Sequence, residues 1–360
     1  MSNRHARRAR SCFLPAILAP ALVACAAAGP STSGSQQRHN HTHGTLGEGH
    51  THDITDRILT NRSGDCADYA AAYTAAPRDV QRRRDHTAAV QVTVKGAQCQ
   101  ITSNAMPNHD FNTAGARFVT PVQETQTTLS VPRNPQPAAR TTALSQRSYD
   151  AVLLNGVVVD LLSAGCYRPD ARRADRNGNV HIGCSTRDMW LLDPLGPGTS
   201  FGTDAHNAHT QPDGRYHYHG NPMALFDDQP SPEGSPVIGF AADGFPIFGS
   251  YFVDGSGTLR KARSGYSLRS GSRPDGADSP GGRYDGTYVD DYQFTGTGDL
   301  DECNGMTVDG QYGYYVTDSY PWMMNCFAGN PDGSFDKGRP GGRARPAHGH
   351  PPHAGRPHRG

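Results

Sequence analysis

Four histidines, His206, His209, His217 and His219, fall within one short stretch that opens at Asp204. His217 and His219 are two apart and flanked by Tyr216 and Tyr218. On a β-strand successive side chains alternate faces, so both imidazoles would point one way and both tyrosines the other. The Asp213-Gly214 pair is a turn signal that folds His209 back beside them. Neutral imidazole is the commonest transition-metal ligand, and several on one face converge on one ion. The predicted ligands are His209, His217 and His219, with His109 or His206 as the fourth. Copper and zinc both suit this donor set, and an oxidising envelope supplies copper. Three imidazoles with an open position suit an ion that activates water or oxygen, whereas four closed ligands suit storage, sensing or structure. Histidines also serve as hydrogen-bonded scaffold, and Tyr-X-Tyr suits any strand. A lone His-X-His would carry little weight; the neighbouring His206 and His209 favour the metal.

Three carboxylates are candidates to support the imidazoles: Asp204, Asp243 and Glu302. An acid beside a ligating ring orients it by accepting its Nδ1–H, although Asp at a turn more often caps its own backbone. If the ion is catalytic, the expectation is a metal-dependent hydrolase or oxidoreductase, with Glu302, Tyr216 or Tyr218 facing the vacant position. The chain has no His-Glu-X-X-His, which excludes the common zinc-protease arrangement. A third reading makes the histidines scaffold and the protein a surface module for carbohydrate or protein. Trp190, Trp322 and Tyr320 would then line a groove.

The elements that would position these groups are strands. The 360 residues include 42 Gly and 27 Pro, and the apolar share of 35% is below the usual globular range. Val90–Val94 and Cys99–Thr102 alternate strictly around Lys95-Gly96, predicting a hairpin. Hairpins are also expected around Asn155-Gly156, within 151–162, and around Asp243-Gly244, between 237–240 and 245–252. Asp285–Phe294 and Gly313–Thr317 read as the last strands. A short helix is expected over Asp65–Tyr73, a surface crossing over Leu129–Arg140 and a loop over Ser264–Gly286. The fold class is mainly β: one large disulfide-stapled β-sandwich or barrel-like domain with long loops. Cys66, Cys99, Cys166, Cys184, Cys303 and Cys326 read as three disulfides. Sequential pairing, which closes only short loops, is the expectation. Lysine plus arginine balance aspartate plus glutamate at 34 each, and no basic block points to nucleic acid.

Arg4, Arg7, Arg8 and Arg10 precede an apolar run from Phe13 to Ala24, the pattern of a signal peptide over 1–24. Leu22-Val23-Ala24-Cys25 has the form of a lipobox, predicting lipid on Cys25 and a protein tethered to a membrane of the cell envelope. Residues 25–62 read as a disordered linker carrying His39, His41, His43, His50 and His52. Residues 338–360 read as a disordered tail with His348, His350, His353 and His358. Such tracts collect metal weakly. The folded domain is expected over 63–337.

The central stretch resembles the bacterial YHYH protein family, through Tyr216-His217-Tyr218-His219. Ser103-Asn104-Ala105-Met106-Pro107-Asn108-His109 is similar to that family's Asn-Gly-Ile-Pro-Asp-His element, with Ala105 in the place of glycine. Leu154-Asn155-Gly156-Val157, the stretch from Gly239 to Gly249, Leu300 to Gly305, and Tyr312 to Gly329 with Tyr320-Pro321 and Cys326 are similar to further blocks. The likeness runs in order from about Val90 to Phe335. It implies one domain and no particular reaction.

Overall fold

The computed structural model describes residues 51–338. The signal peptide, Cys25, and the tail beyond Gly338 lie outside the described residues.

The described chain is mainly β and built on two sheets. The first contains β1 (Thr51–Asp53), β2 (Ala72–Ala75), β3 (Ala88–Lys95), β4 (Gln98–Ser103) and β5 (Thr127–Pro132), paired in that order. β3 and β4 form the expected hairpin, with Val92 opposite Ile101 and Gly96 at a φ of 62° in the turn. The alternating Val90, Val92, Ile101, Leu129 and Val131 are buried, so one face of this sheet is a core face.

The second sheet carries β6 (Ala151–Leu153), β7 (Val158–Val159), β8 (Ala208–Thr210), β9 (Tyr216–Tyr218), β10 (Val237–Ala241), β11 (Pro246–Phe248), β12 (Gly305–Val308) and β13 (Gln311–Tyr315). Their spatial order is β8-β9-β7-β6-β10-β11-β13-β12. The hairpins expected around Asn155-Gly156 and Asp243-Gly244 are β6–β7 and β10–β11, with positive φ at both glycines. β9 joins β7 in parallel, with Val158 opposite His217 and Val159 opposite Tyr218. β6, β7 and β10 are buried throughout, as strands covered on both faces must be. Both sheets feed one apolar core, and neither closes into a barrel.

The disulfides pair in sequence, Cys66–Cys99, Cys166–Cys184 and Cys303–Cys326, at separations of 33, 18 and 23 residues. Four expectations are corrected. The helix over Asp65–Tyr73 is one 3₁₀ turn, Cys66–Tyr69, capped by the Asp65 carboxylate on Ala67 N–H; the following residues extend as β2. The crossing over Leu129–Arg140 begins as strand β5, because Leu129 and Val131 alternate into the core. Within Ser264–Gly286, Tyr266–Leu268 pairs with Tyr292–Phe294. Ordered chain starts before residue 63, since polar β1 adds to the sheet edge beside β2 through its backbone.

Candidate metal centre

The histidine stretch folds as the β8–β9 hairpin, closed by Asp213-Gly214 with Gly214 at a φ of 89°. His209 and His217 stand directly opposite each other, and His219 follows on the same side. The three Nε2 atoms converge: His217 to His219 is 3.1 Å and His219 to His209 is 3.0 Å. His217 and His219 are buried and His209 nearly so. Burial, reinforced by the mutual proximity of the rings, holds the His217 and His219 pKa values well below the ordinary imidazole value. Burial also lowers that of His209. All three rings are therefore neutral near pH 7 and offer lone pairs rather than charge.

The hydrogen bonds at Nδ1 assign those lone pairs. His209 Nδ1 lies 2.6 Å from the Phe201 carbonyl oxygen, and His217 Nδ1 lies 3.4 Å from that of Arg215. A carbonyl only accepts, so both Nδ1 atoms carry the proton and both Nε2 atoms carry the lone pair. Two lone pairs then face His219 Nε2, which has at most one N–H to give. His219 Nδ1 is buried without a hydrogen-bond partner, beside the Asp160 and Leu161 backbone. Three neutral rings alone leave a repulsive contact, whereas a cation at their centre accepts all three.

The structure does not bring His109 or His206 to this cluster. They stack on each other at 3.7 Å between centroids, on the tyrosine side of the hairpin. His109 Nε2 accepts from the Tyr218 hydroxyl at 2.6 Å, and Asn155 Nδ2 donates to the same oxygen at 2.9 Å. His109 Nδ1 faces the Asp110 carbonyl at 2.8 Å. Burial, with His206 adjacent, pushes the His109 pKa down to about 3. His206 Nδ1 is held by the Pro222 carbonyl at 2.8 Å. The alternation that gathers three imidazoles on one face thus puts the tyrosines and this pair on the other.

The expected supporting acids are elsewhere too. Asp204 accepts from Tyr216 Oη, Asn112 N and His206 N, each at 2.9 Å. Asp243 accepts from Tyr314 Oη at 2.6 Å and Gly329 N at 2.9 Å. Both are turn and tyrosine anchors. Glu302 is exposed at a turn. Sequence reasoning did not single out a buried pair of acids, Asp150 and Asp160, which sit side by side just before β6 and just after β7, with the Asp160 backbone beside the His219 ring. Asp160 takes Lys337 Nζ at 2.5 Å and Gln211 Nε2 at 2.7 Å. Burial raises both carboxyl pKa values, and Asp160 raises that of Asp150 further. The available signal was the polar end of an apolar run, Val159-Asp160.

Of the aromatic residues expected in a groove, Trp190 and Tyr320 are buried. Trp322 lines a cleft of about 600 Å³ with Phe201, Asn207 and Asn221, and its indole N–H is tied to Asp193 at 3.0 Å. Among the described residues no helix is long and apolar enough to cross a membrane.

A sequence model of the family described as YHYH protein matches residues 128–329. No curated protein and no solved structure matches the chain.

Proposed function

The chain belongs to the YHYH protein family, and from that premise we propose that the family's signature hairpin is a transition-metal site in this protein. The ligands are His209, His217 and His219, and the ion is copper or zinc. The observation that carries this reading is that His219 Nε2 lies 3.0–3.1 Å from the Nε2 atoms of both His209 and His217, with the rings neutral and two Nδ1 protons committed elsewhere. Imidazole nitrogen suits either ion. In the proposed setting the protein is exported, lipid-anchored through Cys25 and exposed to envelope metal; three disulfides fit that oxidising location.

A second reading, a metal-dependent hydrolase or oxidoreductase, is favoured by one observation. Among the described residues no fourth His, Cys, Asp or Glu joins the group. A three-imidazole set leaves a coordination position for water or substrate, the arrangement of catalytic rather than structural zinc.

The test is metal content by mass spectrometry on the full chain and on His217→Ala/His219→Ala, after incubation with Zn²⁺ or Cu²⁺ and removal of excess. Histidines outside the hairpin are common to both proteins. The wild type should hold one equivalent more than the variant. Equal metal in two folded proteins would reject the site.

A further inference from the structure

A second cavity, of about 970 Å³, lies at the tip of the same hairpin, lined in part by Tyr149, Gln211, Arg215 and Lys337. Arg215 is only 9% exposed, yet no carboxylate pairs with it among the described residues. One Nη donates to Thr127 Oγ1, the guanidinium lies 5.4 Å from the Tyr149 ring centroid, and Nε is buried with no partner. A buried guanidinium without a counter-charge is costly, and such groups are normally paired. The nearby acids are committed. Asp213 caps the Arg215 backbone N–H, and Asp160 holds Lys337. Exposed Arg147 adds a further cation to the wall, so arginine and lysine outnumber the lining carboxylates of Asp213 and Asp336 by three to two.

We propose that this cavity is an anion subsite, in which Arg215 binds the carboxylate or phosphate of a small organic molecule, with Lys337 and Gln211 beside it. Arg215 immediately precedes β9 and lies two residues before His217, so along this extended chain their side chains emerge on the same side about 7 Å apart. The Lys337 charge also reaches His217 and His219. An anion on Arg215 therefore sits one short molecule's length from the imidazole cluster. The guanidinium fork matches a planar carboxylate or a phosphate edge, which a lysine at the same place would not. The anion subsite deepens the metal-centre reading by placing a ligand beside it, yet it rests on Arg215 and stands without a metal.

The experiment is isothermal titration calorimetry on the full chain after chelation, so that its outcome is separate from that of the metal test. Inorganic phosphate and succinate are the two probes. Saturable binding of either supports the subsite, and the one preferred identifies phosphate ester or carboxylate as the ligand group. Arg215→Gln should weaken that binding by at least ~10-fold, the scale of a lost charge-assisted hydrogen bond. Arg215→Lys, which keeps the charge and loses the fork, should fall between. Arg176→Gln, exposed on the Cys166–Cys184 loop, should match the wild type. No saturable binding of either probe by the folded wild type overturns the proposal, as does binding that both Arg215 variants leave unchanged.

Discussion

Acidification should destabilise this protein through His109 before any metal is considered. The imidazole is 3% exposed, accepts the Tyr218 hydroxyl at Nε2 and is held near a pKa of about 3. In the unfolded chain the same ring titrates near its ordinary value of about 6.5. The folded value is the lower one, so below pH 6.5 the unfolded state takes up a proton that the folded state refuses. Stability present above pH 6.5 is lost progressively as the pH falls toward 3, and the loss levels off below that. At pH 5 the solution is about 1.5 units below the unfolded pKa, and at about 1.4 kcal/mol per unit the loss from this one ring is about 2 kcal/mol. Against a typical stability of about 5–15 kcal/mol that is readily measured. The assay is urea unfolding of chelated protein at pH 7 and pH 5, for the wild type and for His109→Gln. Glutamine stays neutral and its Oε1 can accept from Tyr218. Every other titrating group is common to the two proteins and cancels. The variant should lose about 2 kcal/mol less than the wild type between the two pH values. Equal losses, or a His109 proton-resonance midpoint near 6.5, would refute the reasoning.

Tyr218→Phe removes the hydroxyl that serves both His109 and Asn155, and leaving those buried groups short of a partner should cost about 1–3 kcal/mol in urea unfolding. Its metal content should equal that of the wild type, because the tyrosines face away from the imidazoles. Gly239→Ala should lower the thermal midpoint, since its Cβ would lie 2.6 Å from the Val152 carbonyl oxygen and 2.8 Å from Leu153 Cα across the β6–β10 ladder. Overpacking of that kind costs about 1–3 kcal/mol, and an unchanged midpoint would mean that the two strands are further apart than described.

What could be read from the sequence was local. The hairpins at Lys95-Gly96, Asn155-Gly156 and Asp243-Gly244 announce themselves through turn residues between β-branched runs. The shared face of His217 and His219 follows from a spacing of two. Six cysteines allow fifteen pairings, so the sequential connectivity was an expectation that only the structure decides. The misses are long-range or masked by composition. That His109 serves Tyr218 depends on a contact 109 residues apart, and nothing near His109 distinguishes a tyrosine's acceptor from a metal ligand. Asp204 and Asp243 are candidates either to orient an imidazole or to cap a turn, and each is taken by a tyrosine hydroxyl from a neighbouring strand. β5 carried the right alternation, Leu129 and Val131 inward, under a proline-rich continuation that suggested a loop. β1 has no apolar pattern at all; its pairing is made by backbone, which side-chain periodicity does not report.

The hairpin that carries the imidazoles is unequal in its support. β9 is flanked by β8 and β7, but β8 is the outermost strand of its sheet, steadied on its free side by side-chain bonds such as Thr210 Oγ1 to the Thr120 carbonyl. His217 thus belongs to the interior of the sheet and His209 to its rim. Rim strands open locally at lower free energy than interior ones. An ion held by the three rings would be released through His209 first, with His217 still in place, so its residence time would be governed by fraying of one three-residue strand and not by the lifetime of the fold. Exchange of the ion with other carriers would then be fast compared with unfolding, a kinetic property set by where in the sheet each donor happens to lie.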